Sequence, residues 1–306
     1  MSETPEKQEH EELANSAVKE VEEHEELANN AVKEVEVHKK KKFKEVAPYG
    51  NYRNYYGYRV GSDIEQDPRF KVLKKEWFEG KDCLDIGCNS GLITINIAKK
   101  FQCRTILGVD IDHVRVNDAW SNLRNFARSK KLESGRHLVR RSKIVIDSNG
   151  MGGTESCSTS VEQGLGDQFS AEPNLSDIVS FRCGNFVSHL CELPLIIYDT
   201  IICLSVTKWV HLNWGDSGLI SLFTKIWKHL HPGGILVLEP QPWDSYYKNR
   251  LTTETTNANY HSIHIKPQDF QEILLDKVGF RTVEQATSRV SGATMGFDRP
   301  VLVFRK

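Results

Sequence analysis

The sequence predicts an α/β fold in which a mostly parallel, seven-stranded sheet carries helices on both faces. Three observations predict it. Apolar runs of strand length alternate with helical stretches from residue 70 onward, the pattern of a parallel sheet built from strand–helix units. The run Cys83-Leu84-Asp85-Ile86-Gly87-Cys88-Asn89-Ser90-Gly91 reads as a buried strand ending in a glycine-bearing turn. Nineteen residues past Gly91, Asp110 closes a second apolar run, Ile106-Leu107-Gly108-Val109-Asp110. A carboxylate at the tip of that strand can accept hydrogen bonds from ribose hydroxyls.

Taken in order, the first element is a helix expected over 70–78, followed by the strand 83–87. A helix over 92–101 places Leu92, Ile95, Ile97 and Ala98 on its buried side. The strand 106–110 leads into a helix over 114–128. Residues 134–176 break the pattern: they are rich in Ser, Gly, Asn and Glu, lack periodicity, and read as a mobile insertion. Strands are expected over 178–183 and 199–206, then a helix over 218–230. His231-Pro232-Gly233-Gly234 reads as a tight turn feeding a buried strand over 235–239. A helix over 267–278 and end strands over 281–285 and 301–304 complete the count.

Ahead of this core the chain changes character. Residues 10–22 recur almost unchanged at 24–36, a period of 14, or two heptads. The apolar stripe is thin, so 1–38 reads as an acidic repeat tail, disordered or weakly helical, and 39–48 as a basic linker before a domain over 49–306. Within 1–37, twelve Glu face three Lys, a local charge of −9; the whole chain is at −1, so the rest carries +8. That excess suits a polyanionic ligand, or simply solvates the surface. The Lys39-Lys40-Lys41-Lys42 run reads either as a nuclear import signal or nucleic-acid contact, or as a solvated linker. The expectation is nuclear residence, otherwise cytoplasmic. No stretch of about 18 apolar residues predicts a membrane span, and the acidic N-terminus lacks the apolar core of a secretory signal. Seven Cys without a C-x-x-C pair argue against zinc and suit a reducing compartment, with several Cys acting as small buried hydrophobes.

The turn after the first strand separates two cofactor classes. A dinucleotide fingerprint reads G-x-G-x-x-G, whereas Gly87 is followed by Cys88, Asn89, Ser90 and Gly91, the wrong spacing for a pyrophosphate. An Asp before the first glycine suits a cofactor with no phosphate and a cationic centre, and S-adenosyl-L-methionine is the candidate. Ligands of such sheets sit beyond the carboxyl ends of the strands. Five loops should therefore converge there: 87–91, 110–112, 184–186, 205–209 and 239–243. Asp110 is read as the ribose partner, with helix capping by Asp110 or Asp112 as the bland reading. Lys208, Trp209, His211 and Trp214 suit a substrate mouth, although two indoles also suit edge packing. Residues 49–59 hold five Tyr and two Arg, a set that can stack on bases and grip phosphates, or form a lid on the domain edge.

These residues also carry a resemblance. Tyr49-Gly50-Asn51-Tyr52 through Tyr55-Tyr56-Gly57-Tyr58-Arg59, the run from Arg69 to Phe78, Asp85-Ile86-Gly87-Cys88-Asn89, Leu204 through Asp216, Leu238-Glu239-Pro240-Gln241-Pro242-Trp243 and Gly296-Phe297-Asp298-Arg299-Pro300 resemble the methylphosphate capping enzyme (bicoid-interacting protein) family of RNA 5′-phosphate methyltransferases. The match covers nearly all of 48–306 except the insertion; the family often has Leu where Val206 stands and Tyr where Phe186 stands. The resemblance implies a Rossmann-like, class I S-adenosylmethionine-dependent methyltransferase acting on the terminal phosphate, usually the γ-phosphate, of small non-coding RNA with a 5′-phosphorylated end. It implies that Tyr56, Arg69, Gly87, Cys88, Asn89, Asp110, Ile111, Asn185, Phe186 and Leu204 line the cofactor site, and that Tyr55, Arg59 and Lys208 hold the phosphate end. It also raises ribonucleoprotein partners. Three other readings stay open at this point: a small-molecule or protein methyltransferase, a monophosphate-end methyltransferase, and a non-catalytic RNA-binding scaffold.

Overall fold

The computed structural model describes residues 47–60, 67–141, 174–188, 196–287 and 298–306. The acidic repeat, most of the basic linker and most of the expected insertion lie outside the described residues. Residues 47–306 cluster as one compact unit.

Seven strands form one sheet: β1 (Asp82–Ile86), β2 (Thr105–Asp110), β3 (Val179–Cys183), β4 (Tyr198–Leu204), β5 (Leu230–Glu239), β6 (Thr282–Thr287) and β7 (Val301–Arg305). Their order is β3-β2-β1-β4-β5-β7-β6. The neighbours from β3 to β5 pair in parallel, and β7 lies antiparallel between β5 and β6. The sheet is thus mostly parallel, as expected, and β7 is its one reversed strand. Successive residues of the central strands feed opposite faces, as the period of two requires. Cys83, Ile202 and Val237 join one core with Ile93, Ile97 and Phe101; Leu84, Ile201 and Leu236 join the other with Leu219, Leu222 and Phe223.

The helices that cover these faces are α1 (Tyr55–Val60), α2 (Leu92–Phe101), α3 (His113–Arg141), the single turn α4 (Leu175–Ile178), α5 (Thr207–Lys228), α6 (Trp243–Asn249) and α7 (Glu254–Ser262). Helix α2 starts without a side-chain cap: Gly91 at its N-cap has φ of 71°. A Cβ there would lie 2.5 Å from Phe181 and 2.7 Å from Ala119, so the left-handed turn and the tight helix–strand packing both select glycine.

Several expectations shift. The helix over 70–78 is two 3₁₀ turns, Pro68–Lys71 and Lys75–Trp77; Pro68 at the first position suits such a start. Leu92 is only half-buried, whereas Ile93 is buried. Helix α3 runs to Arg141, so the first eight residues of the expected insertion continue it. The helix expected over 218–230 is the second of two helical stretches that meet within Thr207–Lys228 at a kink, where Gly215 (φ 62°, ψ −165°) leaves helical geometry; the first stretch, which carries Lys208, was not expected. The predicted turn at His231-Pro232-Gly233-Gly234 lies inside β5 as an irregularity: pairing with β4 jumps from Tyr198↔Leu230 to Thr200↔Ile235. The helix over 267–278 is a 3₁₀ turn, a short α-helical stretch and the π-helical turn Ile273–Val278. Helices α1, α6 and α7 are absent from the sequence-based reading.

Candidate active site

The strand order reverses at β1 and β4, the place where such sheets open a crevice. A cavity of about 590 Å³ lies there. The five loops converge on it as expected, through Gly87 and Asn89, Asp110 and Ile111, Gly184 to Phe186, Ser205, Val206 and Lys208, and Gln241 and Pro242. Of the sequence-derived residues, Tyr55, Tyr56, Arg69, Gly87, Asn89, Asp110, Ile111, Asn185, Phe186, Leu204 and Lys208 line it. Cys88 does not. Its thiol is buried in the core packed against β1 and α2, and its N–H donates to Val109 O at 3.1 Å; both groups serve the fold. Arg59 stands on α1, four residues past Tyr55, and its side chain lies outside the described residues.

The β2 side of the cavity is acidic. Asp110 accepts from the N–H of Asn89 at 2.8 Å and of Asp112 at 2.9 Å. Burial pushes its carboxyl above the ordinary range, and those two N–H groups pull it part of the way back. It therefore ties the two turns together while each oxygen keeps a lone pair for a ligand. The structure thus shows a structural role for Asp110, tying the two turns. Asp112 does cap, accepting from Val114 N at 2.8 Å. Asp85 is fully enclosed: burial pushes its carboxyl up to about 7, although the Thr94 hydroxyl donates to it at 2.6 Å. A Cβ on Gly87 (φ 75°) would strike Val206 at 2.4 Å, so glycine lets the β1 and β4 turns close against each other.

The β4–β5–β7 side is basic. Lys208 sits in the first turn of α5 and is 5 % exposed. Its Nζ donates to Ser245 Oγ at 2.9 Å and lies 4.3 Å from the Trp209 ring centroid. Among the described residues no carboxylate pairs with it. Burial pulls its ammonium down to about 7, and the positive charge of Arg299 adds to that. Gln241 holds the α5 N-terminus in place: its carbonyl accepts from Thr207 Oγ1 and Lys208 N, both at 3.2 Å, and its amide donates to Ser205 O. Arg69 is chelated by Asp67, with Nη2 to Oδ2 at 2.6 Å, and lies 3.5 Å from Glu239.

Residues 47–55 cross the cavity as a strap. Asn213 donates to Pro48 O at 2.8 Å, Asn89 to Tyr52 O at 3.4 Å, and the Tyr52 hydroxyl to Asn249 at 3.1 Å. Tyr49 stacks on Trp214 at 5.8 Å. The Tyr-rich segment and both indoles thus form the wall of the site. His211 does not reach it. That side chain is buried, 2.7 Å from Asp216 and 3.4 Å from the Tyr246 hydroxyl, where it joins α5 to α6.

Sequence reasoning missed Ser245, Lys248 and Asn249, which line the cavity from α6. The segment reads as polar and irregular, so no periodicity marked it. It also passed over Gln241 and Arg299, although both stand in quoted motifs; an Arg flanked by Asp298 and Pro300 ahead of an apolar strand was the available signal.

Comparison with known proteins gives the site its context. The family model for Bicoid-interacting protein 3 matches residues 198–306, and that for ribosomal protein L11 methyltransferase matches 70–146. The chain is 58% identical over 268 residues to a probable RNA methyltransferase of Arabidopsis thaliana, covering 87% of this chain and 83% of that protein. The chain belongs to the bicoid-interacting family of RNA methyltransferases. It is also 40% identical to the human 7SK snRNA methylphosphate capping enzyme, covering 87% of this chain and 40% of that protein. With the U6 snRNA methylphosphate capping enzyme Amus of Drosophila melanogaster it shares 35% identity, over 84% and 74% of the two chains. The chain thus spans less than half of the human relative. Its sheet order and reversed β7 are those of a class I S-adenosylmethionine-dependent methyltransferase, the fold that family membership implied.

Proposed function

We propose that this chain transfers a methyl group from S-adenosylmethionine to the terminal phosphate oxygen, the γ-phosphate of a 5′-triphosphate end, of a small non-coding RNA. The observation that carries the reading is the polarity of one cavity: carboxylates on its β2 side and a buried, carboxylate-free Lys208 on its β4–β5 side. The relatives named for capping 7SK and U6 snRNA support the acceptor class. The residues fit the donor: Asp110 has lone pairs to offer a ribose, Ile111 and Phe186 offer apolar faces to a base, and the glycine turn admits close backbone approach. When bound, the donor supplies an electrophilic sulfonium methyl.

The chain's own work is alignment. A phosphate oxygen is already anionic at neutral pH, so no proton need be removed from it, and no Cys or His lines the cavity among the described residues. Lys208 neutralises and orients the phosphate, with Ser245 and Trp209 holding the ammonium in place. Tyr55 and Arg59 contribute from α1, and the strap excludes water. Such positioning supplies up to about 7–11 kcal/mol of barrier reduction. Ribonucleoprotein partners and nuclear residence, through the Lys39-Lys40-Lys41-Lys42 run, belong to the same proposal; a tagged protein whose four Lys are changed to Ala should lose nuclear accumulation.

The test is incubation with labelled donor and matched RNAs bearing 5′-triphosphate, 5′-monophosphate or 5′-hydroxyl ends, followed by mass spectrometry of the termini. Methylation of the γ-phosphate is expected. Label on the monophosphate alone would move the acceptor one class over, and equal label on the hydroxyl-ended RNA would defeat the reading.

A further inference from the structure

We infer that Asn51, on the strap, is a second acceptor for the ribose hydroxyls of the donor, which makes the strap part of the donor site. The inference rests on the donor placement above, with Asp110 at the ribose, and adds a residue from outside the sheet. Asn51 lines the cavity. Its Nδ2 donates to Asp112 Oδ2 at 2.5 Å. That bond fixes the amide, because the reverse orientation would set Oδ1 against a carboxylate, an acceptor against an acceptor. Oδ1 is left buried and without a hydrogen-bond partner. A buried acceptor with no partner is costly, and native folds keep few of them unless a ligand or a special role explains them.

The neighbours show where this oxygen stands. Asp112 N donates to Asp110 Oδ1 at 2.9 Å. Asn89 donates its N–H to Asp110 Oδ2 at 2.8 Å and its side-chain amide to Tyr52 O at 3.4 Å. Consecutive residues of the strap are therefore tied to both of the turns that Asp110 joins. The strap is also held from the acceptor side. A Cβ on Gly50 would lie 2.0 Å from Trp209 Nε1, and the Tyr52 hydroxyl donates to Asn249 at 3.1 Å. Asn51 is thus fixed on both flanks, with an unused acceptor beside the Asp110 turns. A ribose supplies what the acceptor needs. Its vicinal diol carries two O–H donors, and each Asp110 oxygen already accepts one N–H. Dividing the diol, one hydroxyl to Asp110 and the other to Asn51, satisfies the diol and both side chains. A few such placed polar groups are what orient a small ligand in its pocket.

The test is calorimetry on the full chain with S-adenosylhomocysteine and its 2′-deoxy and 3′-deoxy analogues, comparing wild type, Asn51→Ala and Tyr49→Ala. In wild type each missing hydroxyl should weaken binding roughly five- to tenfold, the value of one hydrogen bond. In Asn51→Ala the parent ligand should weaken by at least a similar factor. One of the two analogues should then bind as well as the parent, because the hydroxyl it lacks has lost its partner. A strap that is merely loosened would weaken all three ligands alike and leave their ratios at the wild-type values. Tyr49→Ala breaks the stack on Trp214 and keeps Asn51, so it supplies that comparison and should preserve both ratios. Wild-type ratios in Asn51→Ala would overturn the inference. So would a ratio lost equally in Tyr49→Ala, which would assign the effect to strap closure rather than to the amide. The wild-type series separates this failure from that of the donor placement. If neither hydroxyl matters in wild type, the ribose does not lie at Asp110 and the placement falls. If both matter and Asn51→Ala leaves them so, only the role of Asn51 falls.

Discussion

Lys208 and Asp110 divide the chemistry of the cavity between them, and each can be removed separately. Lys208→Ala deletes the buried ammonium and leaves the β1 and β2 turns untouched. RNA methylation should drop roughly ten- to hundredfold, the value of a charge-assisted contact, while donor affinity measured by calorimetry stays the same. Matched losses of both would place the lysine at the cofactor. Asp110→Ala should do the reverse. It removes the ribose acceptor and orphans the N–H groups of Asn89 and Asp112, so donor affinity should weaken about tenfold or more while RNA affinity is retained. A pH dependence follows from the same lysine. Burial brings its ammonium down to about 7 in the free protein. The protonated form binds phosphate, so kcat/KM, which reports groups of the free enzyme, should fall as pH rises through about 7. Lys208→Arg keeps the charge at all these values and should flatten that limb; a limb that persists unchanged would trace to another group.

At the scale of elements, the strands, the glycine turn and Asp110 were legible because each leaves a strong local mark. A parallel central strand is apolar on both faces, and β1, β4 and β5 read as such. The helix ends were less legible. Gly215 breaks the helical geometry between the two stretches of α5, and Asp216 just past it is tied to His211 at 2.7 Å; only the second stretch was expected from the sequence. Helices α6 and α7 carry mostly polar residues and are ordered by tertiary contacts, such as Trp243 stacked on Tyr260 at 4.9 Å and Asn259 donating to Leu212 O at 2.8 Å; no period in the sequence could announce them. The turn before α2 offers the clearest test at this scale. Gly91→Ala would place a Cβ against Phe181 and Ala119 on a left-handed backbone, which should destabilise the fold by roughly 2–4 kcal/mol. A fall in Tm of several degrees checks it, and an unshifted Tm would show that β3 and α3 yield at this point.

At the scale of the whole chain, the distribution of charge decides how RNA is held beyond its end. The residues after the acidic repeat carry +8, and the cavity itself is lined by Lys208, Lys248, Arg299 and the Asp67-bound Arg69. If only the terminal phosphates are gripped, about three charges are neutralised, and the plot of log affinity against log salt should slope near −2. If the RNA body also lies on the basic surface, the slope must be steeper, since each further phosphate contact adds about −0.7 for a single strand. The neutral ribose and base contacts of the donor release few counterions, so its affinity should stay nearly flat over the same range. Measuring both by titration between low and physiological salt, with a full-length small RNA and with a short triphosphorylated oligonucleotide, separates the contributions. We expect a slope near −2 for the oligonucleotide and a steeper one for the full RNA. Equal slopes would confine recognition to the end of the transcript and leave the positive excess of the domain as solvation.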